Sequence, residues 1–501
     1  MELPSGWASG PLSDFVAPRG EKVSPPDFPK LPFIGMDHVE AHTTKIVGSV
    51  PSRQMKSRAS RFRENDVLYG RLRPYLNKVA QPKFDGLASG EFIVFEGNEL
   101  IDSSFLRYRL HARDFVNFAS HLNEGDRPRV NFNQIGNFEV QVPPPGEQRR
   151  IVKRIETLFD EIDQGVESLR DAKRAVKLYR QSLLKSAFEG RLTADWRAKN
   201  PDKLESPEVL LASIREEREE SFRAALDEWE EATAEWRDNG EFGKKPTKPK
   251  LPKTVAERSD GQLATPTTWA TVPLQRIALE AILGKMLDRQ KNRGQPRPYL
   301  GNINLRWGLF KVDPEKLIPI EDHEVPRYAV RKGDLVICEG GEPGRCAVWK
   351  GEDDKVFIQK ALHRVRFTAS YSPMFAYYYF RFATVAGLLD KHFTGSTIKH
   401  LTGKALEEVL LPICSPAEQA EIVRILNEHL AATNTLEAEI DVNFTRGEAL
   451  RQSILKQAFA GQLVPQNPDD ESAAILLERI KAEKASQKPK GTARKRKAAI
   501  A

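Results

Sequence analysis

Cysteine is nearly absent: Cys338, Cys346 and Cys414 are the only three in 501 residues. An odd, sparse set with no C-x-x-C pair excludes a disulfide framework and a cysteine-based zinc site, and predicts reduced or buried thiols. No apolar run approaches the roughly 18–20 residues that a membrane helix requires, so no membrane partner is expected. The start, Met1-Glu2-Leu3-Pro4-Ser5-Gly6, lacks the basic-then-apolar layout of a signal peptide, and the expected location is cytoplasmic. Catalytic signatures are missing too. There is no phosphate-binding G-x-x-x-x-G-K-[ST] loop, no H-E-x-x-H and no G-x-S-x-G elbow. The nine histidines do not cluster with acids at metal-ligand spacing. Asn200-Pro201-Asp202 and Asn467-Pro468-Asp469 read as turns after helices, not as a base-flipping methyltransferase loop. Asp334 with Asp353-Asp354-Lys355 can be stretched to fit a metal-dependent nuclease, but the first half, near Asp85-Gly86-Leu87, has nothing comparable.

What the chain has is a repeat. The stretch Arg180–Leu192 returns as Arg451–Leu463 with nine of thirteen positions identical, and both copies close long helical segments. A period of about half the chain is far beyond the roughly 20–50 residues of a solenoid unit, so one domain-plus-helix module was duplicated. The two halves align over most of their length. Leu3-Pro4-Ser5-Gly6-Trp7 matches Thr265-Pro266-Thr267-Thr268-Trp269, and Leu31-Pro32-Phe33-Ile34-Gly35 matches Arg297-Pro298-Tyr299-Leu300-Gly301. Asp66-Val67-Leu68-Tyr69 matches Asp334-Leu335-Val336-Ile337, each a turn residue before a short buried strand, and Phe92–Phe95 is a further strand. Aromatic-rich helices follow at 104–122 and 372–393, and each half ends in a strand stopped by proline, at Pro143 and Pro412.

Gly146-Glu147-Gln148 and Ala417-Glu418-Gln419 then open two long helices. In the first, Ile155, Ile162, Leu169, Val176 and Leu183 recur every seven residues, the spacing of a coiled-coil seam. A helix from Glu147 to Gly190 would be about 65 Å long. In the second, Leu426, Leu436, Ile440 and Leu450 are the apolar candidates, while Thr433 and Gly447 interrupt the matching stripe. Gly190 and Gly461 are expected left-handed helix stops. The cheapest cover for each seam is the other copy, packed antiparallel. The expected fold class is therefore α+β: two repeated α/β domains and two long antiparallel helices related by a pseudo-twofold duplication. The divisions are 1–146 (first domain), 147–192 (helix), 193–262 (charged helix and Lys/Pro linker), 263–416 (second domain), 417–464 (helix) and 465–501 (short helix and basic tail).

The net charge of +7 and pI near 9.0 are compatible with nucleic acid without requiring it. Part of the excess sits in the tail, where Lys481–Lys497 holds eight Lys or Arg against Glu483. Two basic, amide-bearing clusters mark the first half: Arg71, Arg73 and Tyr75, then Arg127, Arg129, Asn131 and Asn133. The second half offers Arg345, then His363, Arg364 and Arg366, then Lys399 and His400. Arginine suits a guanine edge and asparagine an adenine edge, and both also hold phosphates; a solvated loop or a local ion pair is the competing reading for each residue. Arg71-Leu72-Arg73 sits opposite Glu339-Gly340-Gly341, and Arg127-Pro128-Arg129 opposite Thr397-Ile398-Lys399, whereas the helix ends are nearly identical. Similar scaffolds with different tips would read two different sequences.

The domain–helix–domain–helix duplication, the Pro-then-Glu-Gln helix entries and the paired Gln-Ser-x-Leu-Lys-x-Ala-Phe-x-Gly-x-Leu ends resemble the specificity subunit of prokaryotic type I restriction-modification enzymes. The resemblance implies two target recognition domains on double-stranded DNA, each binding one half of a split, asymmetric site, with spacer helices setting the gap. It implies no catalytic residues, no metal and no cofactor bound by this chain. Two modification (methyltransferase) subunits using S-adenosylmethionine, and restriction (motor-nuclease) subunits using ATP and Mg²⁺, are the implied partners. Two other classes compete: a self-sufficient DNA nuclease or methyltransferase, and a coiled-coil scaffold.

Overall fold

The computed structural model describes residues 4–242, 245–249, 263–288, 290 and 292–487. Leu3, part of the Lys/Pro linker and the basic tail beyond Gln487 lie outside the described residues. The chain forms two compact units that interleave in sequence. Unit 1 comprises residues 1–171 and 440–501, and unit 2 comprises 172–439. Each unit is thus a globular head combined with the start of its own long helix and the end of the other copy's.

In unit 1 the head holds a five-stranded sheet ordered Lys22–Val23, Ala59–Phe62, Gly86–Ala88, Pro32–Ile34, Val50–Pro51 and a three-stranded sheet ordered Val79–Ala80, Val67–Gly70, Phe92–Phe95. Strand Ala8–Pro11 closes the head by pairing antiparallel with Glu139–Val142. On that last strand Val140 and Val142 point inward between exposed Glu139 and Gln141, the alternation of a half-buried strand. The aromatic stretch becomes two helices, Ser103–His111 and Arg113–Ser120, broken by the extended backbone of Ala112.

Unit 2 repeats the plan. Ala270–Pro273 pairs antiparallel with Leu410–Ile413, and Leu335–Cys338 lies between Leu362–Phe367 and Cys346–Val348. A parallel strand pairing recurs in the same place in each head: Phe33 opposite Leu87, and Tyr299 opposite Phe357. The aromatic helix Pro373–Val385 is buried along most of its length. All three cysteines are free and buried.

Both long helices are 44 residues, Pro145–Phe188 and Pro416–Phe459, or about 66 Å each. Their repeated Glu-Gln entries have a structural explanation. The Gln148 side-chain amide donates to Leu100 O and Pro143 O (both 2.8 Å), and its oxygen accepts from Asp102 N (2.8 Å). Gln419 repeats this with Ser370 O (3.2 Å), Cys414 O (2.8 Å) and Ser372 N (2.7 Å). Asp102 and Ser372 are the N-caps of the two aromatic helices, so one buried amide ties together three pieces of each head. The neighbouring glutamates accept from the repeated tryptophans: Trp7 to Glu147 (3.1 Å) and Trp269 to Glu418 (2.9 Å). Only Glu418 has further partners, Thr193 (2.7 Å) and Arg197 (2.5 Å). The Oε1 of Glu147 is buried without a hydrogen bond among the described residues, and burial pushes its carboxyl above the ordinary range.

The first seam is as expected: Ile155, Val176 and Leu183 are buried, and Ile162 and Leu169 are half-buried. The second is not. Leu436 and Leu450 are 45% and 47% exposed, while Thr433 and Gly447 are buried. The seven-residue stripe runs through Leu426, Thr433, Ile440, Gly447 and Ile454 and leans toward the i+4 side, through Leu430, Glu437, Phe444 and Arg451, which leaves Leu436 and Leu450 on its exposed flank. Small or polar residues sit on this stripe because the partner helix comes close. In unit 1, Gly447 faces Ile162 and Val166, while Arg451 pairs with Asp163 and lies 5.0 Å over the Phe159 ring, an antiparallel arrangement. In unit 2, Arg180 makes the corresponding clasp, to Glu437 (2.6 Å), Asn434 (2.7 Å) and Thr433 (3.0 Å). Arg180 and Arg451 are the first residues of the repeated thirteen.

The rest of that motif docks on a head. Phe188 is surrounded by Phe375, Tyr379 and Phe382, and Phe459 meets Phe105 edge-on at 5.5 Å. Gly190 and Gly461 both have φ of +71°, and a Cβ on either would collide with Pro266 or Pro4, respectively. The echo after each motif is also structural. Leu210 and Ile214 of the charged helix Pro207–Asp238 enter the unit 2 core, and Leu476 and Leu477 of helix Ala473–Gln487 enter that of unit 1.

Two predictions follow from this packing. Gly447→Ala should raise stability by up to about 1 kcal/mol, because alanine favours the helix and its Cβ would meet Val166 and Ile162 at 3.6 and 3.8 Å, an ordinary contact. Gly190→Ala should lower stability, and urea midpoints in the reverse order would contradict the packing. Glu147 binds its proton more tightly folded than unfolded, so its contribution to stability is lost as pH rises from the ordinary carboxylate range through the folded value. Glu147→Gln keeps an acceptor for Trp7 and removes that titration. Its stability relative to wild type should therefore improve from about pH 4 to about pH 7; a difference independent of pH would contradict this.

Candidate nucleic-acid interface

The two basic clusters of the first half, over fifty residues apart in sequence, meet in unit 1. Strand Val67–Gly70 runs out into residues 71–75, and the loop ending at Asn131 lies beside it. Val130 N donates to Arg71 O (3.0 Å), Arg73 N donates to Pro128 O (2.8 Å), and Leu72 bridges Arg129. Unit 2 has the same junction: Leu401 N donates to Glu339 O (2.7 Å), and Gly340 bridges His400. Each head therefore carries a tip made of two loops zipped by backbone hydrogen bonds, which leaves the side chains free to differ.

The side chains at the first tip divide by role. Arg127 is exposed and pairs with no carboxylate among the described residues. Arg71 is half-buried, with its Nε lacking a hydrogen-bond partner. Tyr75 is exposed on a short 3-10 turn, and Asn133 is exposed. Arg129 is neutralised by Glu91 at 3.1 Å, and Asn131 caps the short helix Phe132–Ile135 by accepting from Gln134 N (3.1 Å). Arg73 has φ of +51°, where its counterpart Gly341 has +76°. A left-handed residue with a side chain costs on the order of 1–2 kcal/mol that glycine does not incur. At the second tip Lys399 and His400 are exposed, with Lys399 3.8 Å from Asp390 and 5.6 Å over the Phe393 ring.

Four candidates of the second half are held within the fold instead, two buried (His363 and Arg364) and two half-buried (Arg345 and Arg366). His363 is buried and its Nε2 lies 2.8 Å from Leu401 O. Arg364 is fully buried, donates to Ala329 O (2.6 Å) and pairs with Glu280. Arg366 is bidentate to Asp334 at 2.8 Å. Strand register explains these placements: His363 and Arg364 face Ile337 and Val336 as Ile93 and Val94 face Tyr69 and Leu68. They occupy core positions that are apolar in the first copy. Arg345 donates to Asn302 O (3.0 Å) and pairs with Glu342 (2.8 Å), anchoring a loop as Lys78 does at Met36 O (2.6 Å).

The nuclease-like string dissolves in the same way. Asp334 is buried, accepts from Arg331 N (2.7 Å) and is consumed by Arg366. Asp66 repeats the pattern with Arg63 N and Arg19, each at 2.8 Å, so this aspartate pins a turn before a strand in both heads. Among the described residues no group of three or more His, Cys, Asp or Glu is placed to hold a metal ion, and no helix is long and apolar enough to cross a membrane. The structure adds Lys22 and Arg58 near the first tip, and Arg58 belongs to a basic stretch that also holds Arg53, Lys56, Arg61 and Arg63.

A family model described as the type I restriction modification DNA specificity domain matches residues 5–168 and 322–443. The chain belongs to this type I specificity family. The two matched stretches fall on the two copies, each running into its long helix. The Escherichia coli type I restriction enzyme EcoDI specificity subunit is 33% identical over 223 residues, covering 43% of this chain and 50% of that protein. The EcoKI specificity subunit of Escherichia coli K12 is 24% identical over 529 residues and 99% of each chain. The chain thus spans about half of the first relative and nearly all of the second. A chain from a solved type I R-M system superposes with a TM-score of 0.64 at 20% identity, over 92% of this chain and 100% of that one. The HsdS subunit from Thermoanaerobacter tengcongensis gives 0.51 at 20% identity over 92% and 98%. These structures share the fold. As a member of the family, this chain is a specificity subunit and not a catalytic one.

Arg73→Gly should hold or raise the unfolding free energy by roughly 1 kcal/mol, while weakening duplex binding several-fold. Unchanged binding with raised stability would show that the arginine has no role at the tip.

Proposed function

We propose that each head reads one half of a split, asymmetric duplex target through its two-loop tip, with the long helices acting as the spacer that sets the gap. The observation that carries this is the tip itself: one backbone junction built twice, with Arg71, Arg73 and Arg127 in one copy against Glu339, Gly341 and Ile398 in the other. Phosphate contacts from Lys and Arg supply salt-dependent affinity, and base-edge contacts supply about 1–3 kcal/mol of discrimination per good bidentate pair. Linking two heads in one chain raises effective concentration and enforces the gap.

Two copies of a modification subunit dock on this chain in the same reading, and restriction subunits join that assembly. Supporting this, packing does not account for every repeated motif residue. Lys185 and Lys456 are exposed, and with Gln181 and Gln452 they line cavities of about 400 Å³ in unit 2 and 750 Å³ in unit 1. The same surface chemistry presented twice suits one partner bound twice. S-adenosylmethionine, ATP and Mg²⁺ are then bound by the partner subunits, with no cofactor held by this chain.

One helical turn inserted after Arg170, with a matching turn after Phe444 to keep the seams in register, should lengthen the tolerated gap. A turn is about 5.4 Å, or one to two base-pair steps. Both half-site sequences should stay the same; an unmoved gap would contradict the spacer role.

A further inference from the structure

Beside the first tip lies a recess of about 200 Å³, lined by Lys22, Ser60, Arg61, Arg71, Asn131 and Phe132 among others. Its charges do not balance. Three cations line it, Lys22, Arg61 and Arg71, and Arg58 adjoins Lys22. The nearby carboxylates are already taken, Glu21 by Arg61 (3.2 Å) and Glu91 by Arg129 (3.1 Å). Lys22, Arg58 and Arg71 have no acidic partner among the described residues. Arg58 donates only to the backbone oxygen of Lys22 (3.1 Å), and the Lys22 ammonium donates to the hydroxyl of buried Ser60 (2.5 Å). Desolvation, followed by repulsion from Arg71 and Arg58, holds the Lys22 ammonium below its ordinary range. Glu91 offsets part of this repulsion, and an anion supplied from outside would remove the rest.

We propose that this recess is a phosphate site that grips the DNA backbone next to the reading tip of unit 1. Lys22 and Arg71 supply the charge, and the Ser60 hydroxyl and Asn131 supply polar contact. A backbone phosphate is the anion that fits, because the recess opens beside the loops that carry Arg73 and Arg127, and Arg71 belongs to both features. The site would position the duplex without reading its sequence. It is also peculiar to one head, since the position of Arg71 is Glu339 in the other.

The proposal rests on the DNA-reading role of this head, and the two are separated by one set of titrations. The full-length chain is titrated with its cognate duplex and with an unrelated duplex at several salt concentrations, as wild type, Lys22→Gln, Lys22→Arg and Arg71→Gln. Wild-type preference for the cognate duplex tests the DNA-reading role. For the recess, Lys22→Gln should weaken binding to both duplexes by the same factor and reduce the slope of log affinity against log salt by about 0.9, the loss of one phosphate contact. Lys22→Arg should restore the slope, and Arg71→Gln should repeat the loss if the lysine variant folds poorly. An unchanged salt slope, or a loss confined to the cognate duplex, would overturn the phosphate assignment and leave the wild-type preference standing.

Discussion

One buried amide at the foot of each long helix holds the architecture together. Gln148 and Gln419 each satisfy two carbonyls and one N–H that would otherwise be stranded where a strand ends, an aromatic helix begins and the long helix starts. Leaving such buried groups unpaired costs about 1–3 kcal/mol each, so the joint fixes the head on its helix with little freedom. A head that swivelled on its helix could not present its loops to a duplex in a constant orientation. The glutamate beside each glutamine adds a bond to a tryptophan from the opposite end of the head.

The duplication separates what must stay the same from what must vary. Backbone does the repeated work: the Asp66 and Asp334 turns, the parallel strand pair, the glycine caps and the zipped loop junction all recur. Around that shared frame the sheets, the aromatic helices and the side chains at the tips differ. The interleaving of the units follows from the same economy, since each repeated helix end is shaped to fit a head and the two heads are alike at that surface.

Much of this was legible in the sequence because it depends on local spacing. The repeat, the helix extents, the glycine stops, the strands after Asp66 and Asp334 and the first seam all declare themselves through period and punctuation. The second seam did not, because apolar content is a poor guide where helices approach closely: Thr433 and Gly447 lie in the interface, and Leu436 and Leu450 lie outside it. The site was half legible. Clusters 71–75 and 127–133 were recognisable as chemistry, but their meeting depends on tertiary pairing. His363, Arg364 and Arg366 looked like a basic patch, but the first two are core residues and Arg366 is half-buried against Asp334, since a single sequence cannot distinguish a solvated arginine from one held by Glu280 and Asp334. Arg58 lies in a basic stretch with Arg53, Lys56, Arg61 and Arg63, but which of these cations lacks a counter-charge depends on tertiary packing.

The central claim, that one polypeptide carries two different reading heads on a fixed spacer, is tested most directly by mapping DNA methylation across the genome in cells with and without this chain. The account predicts that a single motif loses its mark, and that this motif has two unlike specified halves separated by an unspecified gap of constant length. An unchanged methylation map, or the loss of a continuous motif, would contradict it.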